Sequence, residues 1–302
     1  MLEALVVLVV ILNVWADFTD RRTASQSDVY ALALWTTIIQ FMLVTPLIGL
    51  VSTVTIPQLA ICAAVGAFSA AARMLWYRAL TIPGGKLSLL APFSRISSVM
   101  ALAMAVLVLG ETPTTHKLAG ALIMVFGAFM MGWRGPIQSV RHYFALNREL
   151  GLVAIFAVST AAISVFYRYM MLSGVPIVTT YFFLKLCQLC FGLLHAFHKG
   201  YLVESYASII DLPKFVQARA CQTAAAMLYI FVLRSLDLSH VEPIAAVSGP
   251  LLYWSVEKLS DWRARGQPRM PNGVPEPRAR YQVIRNAGLV TIVAGLFLFA
   301  QG

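Results

Sequence analysis

Long apolar stretches alternate with short polar ones along the whole chain, and this rhythm governs everything else in the sequence. The apolar stretches run to about 17–23 residues, enough to carry a helix across a hydrocarbon core of roughly 30 Å. The pattern predicts helices over 2–18, 30–50, 57–78, 87–109 and 115–133 in the front half. In the back half it predicts 150–172, 177–198, 214–235, 243–259 and 283–301. A basic connector, 134–149, separates them. The expected fold is an all-α polytopic membrane protein of ten transmembrane helices. Residues 1–133 form one five-helix unit and 150–302 the other.

The two halves share a pattern. AGALIMVFGAFM at 119–130 and AGLVTIVAGLFL at 287–298 agree at Ala119/Ala287, Gly120/Gly288, Val125/Val293, Gly127/Gly295 and Phe129/Phe297. Arg78-Ala79-Leu80 aligns with Arg234-Ser235-Leu236, and Pro92 with Pro250. Five spans is an odd number, so two such units enter the membrane in opposite senses. That is the inverted repeat typical of secondary transporters. The glycines recur seven apart on one helix face and suit close helix packing in lipid.

Composition agrees with the pattern. The chain is 59% hydrophobic and only 12% charged, against about 25% charged in soluble proteins, and its mean hydropathy is +0.77. The net charge of +10 does not call for nucleic acid, because cytoplasmic loops of membrane proteins collect Lys and Arg. Here the odd-numbered loops hold nearly all of it: Arg21, Arg22, Arg78, Lys86, Arg134, Arg141, Arg148, Lys199, Lys214 and the arginines of 260–282. This places the odd loops in the cytoplasm and both termini outside, in a cell inner (plasma) membrane. Residues 1–18 lack a basic leader and read as the first membrane helix, not as a cleaved signal. The four cysteines fall in apolar segments and read as small interior side chains. There is no Walker loop, zinc-type spacing or nucleophile motif, so neither a cofactor nor a metal nor an enzyme is expected.

Ala79-Leu80, Pro92, Gly110-Glu111-Thr112 and the Gly120…Gly127 helix together resemble the repeat of the EamA-like family, in the drug/metabolite transporter superfamily. The second copy keeps Leu236, Pro250, Gly288 and Gly295 but has no Gly-Glu pair. The resemblance implies a ten-helix carrier whose central cavity is lined by helices such as 3, 4, 8 and 9. It also implies cytoplasmic termini, opposite to the charge count.

Ionisable groups inside apolar spans are the candidates for chemistry, since each costs about 2.5–3.5 kcal/mol at a helix centre. They are Arg73 in helix 3, Arg95 in helix 4, Lys185 in helix 7 and Arg219 in helix 8, with Arg168 nearer a helix end. Basic groups outnumber acids there, and a positive cavity favours an anionic solute. Arg adds a planar fork suited to carboxylate or phosphate. Arg95 leads because it lies one turn after Pro92, with Ser88 and Ser98 on a similar face. Pro92 and Pro250 break the backbone ladder and are expected at the cavity. Gln188 shares a stripe with Lys185, and Gln222 with Arg219. Asp17, four residues after Asn13, is expected to form an ion pair, with Arg73 a candidate partner, or to accept a coupling proton. Glu111 reads as a helix-end residue near the surface.

The expected function is alternating-access transport of a small organic anion across the bilayer, with a proton or counter-substrate as coupling partner, by a monomer or homodimer. The alternatives are an exporter of amino acids or other zwitterionic, drug-like solutes, and, from another class, a lipid- or phosphate-handling membrane protein or a non-transporting receptor.

Overall fold

The computed structural model describes residues 2–24, 28–81, 96–132, 148–199, 212–242, 244–245 and 279–300. Every regular element in them is helical. The helices are α1 (Leu2–Ala24), α2 (Val29–Val44), α3 (Ile56–Thr81), α4 (Ile96–Met104), α5 (Thr115–Gly132), α6 (Arg148–Leu172), α7 (Ile177–Lys199), α8 (Leu212–Ser235) and α9 (Ala279–Ala300). A helical turn follows α8 at 238–242. Among the described residues, six helices are long and apolar enough to cross a bilayer, and two shorter apolar helices accompany them. The chain is therefore an all-α, multi-pass membrane protein, as the hydropathy pattern predicts. The predicted span 243–259 lies outside the described residues except for 244 and 245, and the connector lies outside them up to 147.

Helix ends follow local chemistry. Asp28 caps α2, its carboxylate accepting from the backbone N–H of Tyr30 and Ala31 at 2.9 Å. The predicted second span is not one α-helix: it tightens into a 3₁₀ segment at Thr45–Leu50. Pro46 supplies the reason, since it has no N–H to continue the ladder. The first helix runs further than its apolar stretch, to Ala24, and so carries Asp20 on helical backbone. α4 ends in a π-turn at Ala105–Leu109, closed by Gly110 in the left-handed region at φ 69°. Only glycine adopts that conformation without strain, so the Gly-Glu pair has a backbone role: it stops the helix and places Glu111 just beyond it.

Two bodies of packing organise the bundle. α3 and α8 lie inside, α3 against α6 and α7 and α8 against α1, while α2 rests on α7. α5 and α9 form the most extensive pair among the described helices. Their motif glycines face each other: a Cβ on Gly127 would stand 2.7 Å from the Gly288 carbonyl oxygen, and one on Gly295 would stand 2.9 Å from that of Gly120. The contacts are reciprocal and run in opposite directions along the two helices. α5 and α9 are thus antiparallel, with backbones close enough to exclude any side chain at the crossing. α3 meets α7 almost as closely, since a Cβ on Gly66 would lie 2.7 Å from the Cys187 Cβ.

Candidate functional site

A chain of buried polar side chains runs through the interior where α1, α2, α3, α7 and α8 meet. It begins with Lys185 on α7, which is 4% exposed. Its ammonium donates to Gln40 Oε1 at 2.8 Å and to Gln188 Oε1 at 2.7 Å. It also lies 5.2 Å from the Tyr181 ring centroid, within cation–π range. Gln188 Nε2 donates to Ser69 Oγ on α3 at 2.5 Å. Gln40 Nε2 donates to Gln222 Oε1 on α8 at 3.1 Å, and Arg219 Nη1 donates to the same oxygen at 2.7 Å. The spacing of three residues within Lys185/Gln188 and within Arg219/Gln222 puts each pair on one helix face.

At the Arg219 end the chain is neutralised. Arg219 is completely buried and forms an ion pair with Asp20 of α1. Its Nη1 also donates to the Tyr77 hydroxyl at 3.1 Å. That hydroxyl lies 2.8 Å from Thr36 Oγ1 and donates to Asp20 Oδ2 at 3.3 Å. Such partners for the remaining lone pairs and protons offset the cost of burying an ion pair, although the buried Arg219 Nε has none among the described residues. Asp17, one turn before Asp20, adds its negative charge to the field at Arg219.

Arg73 is different. It lies on α3 four residues from both Ser69 and Tyr77, hence on their face, and it is half-buried. Its charge lies near enough to act on Tyr77, Tyr167, Tyr181 and Lys185. Among the described residues, neither Arg73 nor Lys185 pairs with a carboxylate. Among the described residues Lys185 is offset by the amide oxygens of Gln40 and Gln188 and by the Tyr181 ring, with Arg73 a second cation nearby.

A second cluster lies toward the loops that follow α4, α6 and α8. Arg168 on α6 pairs with Glu111 at 3.4 Å and with Asp237, and donates to the Leu233 carbonyl at 2.6 Å. Glu111 in turn accepts from the backbone N–H of Leu238 at 3.1 Å and Ser239 at 2.9 Å, capping the turn at 238–242. Far from being a surface residue, the Glu111 side chain is 8% exposed. Deeper in, the Glu242 carboxylate accepts from Ser98 Oγ at 2.9 Å and from the Tyr229 hydroxyl at 2.5 Å.

The structure thus brings together Lys185, Gln188, Arg73, Arg219 and Gln222 of the sequence-derived candidates. Ser88, Pro92, Arg95 and Pro250 lie outside the described residues. Sequence reasoning passed over Asp20, Gln40, Ser69 and Tyr77. Gln40 carried a usable signal, an amide in the middle of an apolar run. Asp20 did not, because the apolar stretch before it stops two residues short.

Comparison with known proteins agrees with this architecture. No curated protein matches the chain by sequence. Twenty-eight chains of solved structures match it in fold. One crystal structure superposes with a TM-score of 0.64 over 97% of this chain and 98% of that one, at 14% identity, which speaks to fold alone. The model of the EamA-like transporter family matches residues 3–133. That family consists of transporters and not enzymes. The front half of the chain thus carries the EamA-like unit of the drug/metabolite transporter superfamily, and the chain is a secondary transporter of small molecules of that type.

Proposed function

We propose that the chain carries a small organic anion by alternating access, and that Lys185 and Arg73 hold it at the centre of the bundle. The observation that carries this reading is the unequal treatment of the buried cations. Arg219 and Arg168 each have a carboxylate, whereas Lys185 has only the amide oxygens of Gln40 and Gln188. A buried charge without a counter-charge is costly, and a solute carboxylate or phosphate relieves that cost at the place where it binds. Arg73, half-buried on the same interior, supplies the planar fork. Arg95 is assigned to the same site on its sequence position, one turn after Pro92. Gln188 and Gln222 orient the cations, and Ser88, Pro92 and Pro250 are assigned to the same site on sequence position.

The proposed frame is ten spans in two inverted five-helix repeats, 1–133 and 150–302, rocking about this centre. The antiparallel, reciprocal glycine contact of α5 and α9 supports it. So does the exchange of partners between halves: α1 packs on α8 as α6 packs on α3. The loop charges favour an inner-membrane protein with odd-numbered loops in the cytoplasm. Accessibility of single cysteines introduced in 260–282 tests this, and labelling from outside intact cells overturns it.

Counterflow in proteoliposomes tests the substrate class. Organic anions are expected to exchange, and Lys185→Gln and Arg73→Gln to slow them. Movement of amino acids or cations alone, or normal anion exchange by both variants, rejects the site.

A further inference from the structure

Glu242 is a buried acid that belongs neither to the anion site nor to an ion pair among the described residues. It is 6% exposed and sits in the turn at 238–242, where three helices converge on it. α4 contributes Ser98 Oγ at 2.9 Å, and α8 contributes the Tyr229 hydroxyl at 2.5 Å. α6 contributes Ser164, whose Oγ lies 3.1 Å from the same Tyr229 oxygen. The Tyr167 ring meets the Tyr229 ring edge-on at 6.4 Å and closes the apolar side.

The charged groups nearby are already engaged. On α6, one turn beyond Ser164, Arg168 is held by Glu111 and Asp237. In the same turn His240 pairs with Glu3 of α1. Among the described residues no Lys, Arg or His pairs with Glu242. Among the described residues its partners are hydroxyls, and hydroxyls serve either state of the acid. They donate to the carboxylate, and one of them accepts from the carboxylic acid once it is protonated. Such a group takes up a proton at little structural cost, whereas an ion-paired acid does not.

We propose that Glu242 is the proton-binding site that couples the anion carrier to the pH gradient. A proton from water on the side of the turn converts the carboxylate to the neutral acid, and the reverse step returns it. The Ser98 contact ties α4, in the front half, to Glu242 in the back half, so the change of charge acts on the joint between the halves. This rests on the carrier reading, and the test separates the two.

The test has a substrate-free arm and a transport arm. Infrared difference spectra of the purified protein in nanodiscs, taken across a pH titration, report carboxyl protonation without any solute. Wild type minus Glu242→Gln is expected to contain one titrating carboxylic-acid band, and Glu242→Asp to restore it at a shifted pH. Absence of that band overturns the proposal whatever the protein carries. In proteoliposomes, an imposed pH gradient is expected to accelerate anion uptake by wild type. In Glu242→Gln the ratio of rates with and without the gradient is expected to fall to unity, and in Glu242→Asp to stay above it. Wild-type uptake indifferent to the gradient overturns the coupling role. If no anion moves at all, the carrier reading fails alone and the infrared arm still decides the protonation of Glu242.

Discussion

Two buried cations lie on neighbouring helices in this bundle and are treated in opposite ways. Arg219 on α8 is completely enclosed, bonded to Asp20 and supported by Tyr77 and Gln222. Lys185 on α7 is just as deep but finds two amide oxygens and an aromatic ring. The first arrangement is complete in itself: charge meets charge across α1 and α8. The second has two hydrogen bonds to amide oxygens and no counter-charge among the described residues. That difference separates a strut from a binding group, and it applies equally to Arg168, which Glu111 and Asp237 neutralise, and to Arg73, which no carboxylate in the described residues does.

The largest effect is expected where the strut is cut. Asp20→Asn leaves the Arg219 guanidinium buried without its counter-charge and is expected to cost about 3–5 kcal/mol, read as a lowered unfolding midpoint in detergent. Asp20→Asn with Arg219→Gln is expected to recover much of it, because no isolated charge is left inside.

Lys185→Gln sharpens the contrast from the other side. An amide fits between Gln40 and Gln188, so stability is expected to change little. Anion affinity is expected to fall by about tenfold to a hundredfold, the scale of a charge-assisted hydrogen bond of roughly 1.5–3 kcal/mol. A melting loss as large as that of Asp20→Asn would mean that Lys185 is a strut too, and the comparison would collapse.

The glycine crossing comes next. Gly127→Ala puts a methyl 2.7 Å from the Gly288 carbonyl oxygen and 2.8 Å from both the Cγ1 and the backbone N of Ile292. Overpacking of this kind costs about 1–3 kcal/mol. Gly295→Ala is expected to behave alike, because its contacts with Gly120 and Met124 mirror those of Gly127. Both are expected to lower the melting midpoint without moving the anion affinity.

The smallest effect is expected at the rim. His240 and Glu3 pair at 3.2 Å with side chains 27% and 66% exposed. Water screens such a pair, so His240→Ala is expected to cost about 0.2–1 kcal/mol in the same melting assay.

How much of this was legible beforehand varied with the kind of signal. Helix ends at 109, 172 and 235 followed directly from apolar runs and their polar stops, since lipid forces every backbone polar group to be satisfied within the helix. Lys185 and Arg219 stood out because charge inside an apolar run is rare. Their partners did not stand out. Asp20 lies past the end of the apolar stretch, Ser69 is an ordinary small residue, and Glu111 read as a surface group until α6 and the turn at 238–242 closed over it. The glycine motif was visible as a repeat, but nothing in either copy alone says that the two pack on each other.

The sequence by itself determined that the chain is helical and membrane-embedded, where most helices begin and end, and which side chains are too costly to bury idly. These are properties of one segment against its solvent, and hydropathy, capping and proline chemistry are local. Only the tertiary structure decided which cation received a carboxylate and which did not. Ion pairs such as Asp20 with Arg219 join residues on helices far apart in the chain, and no local pattern encodes that meeting.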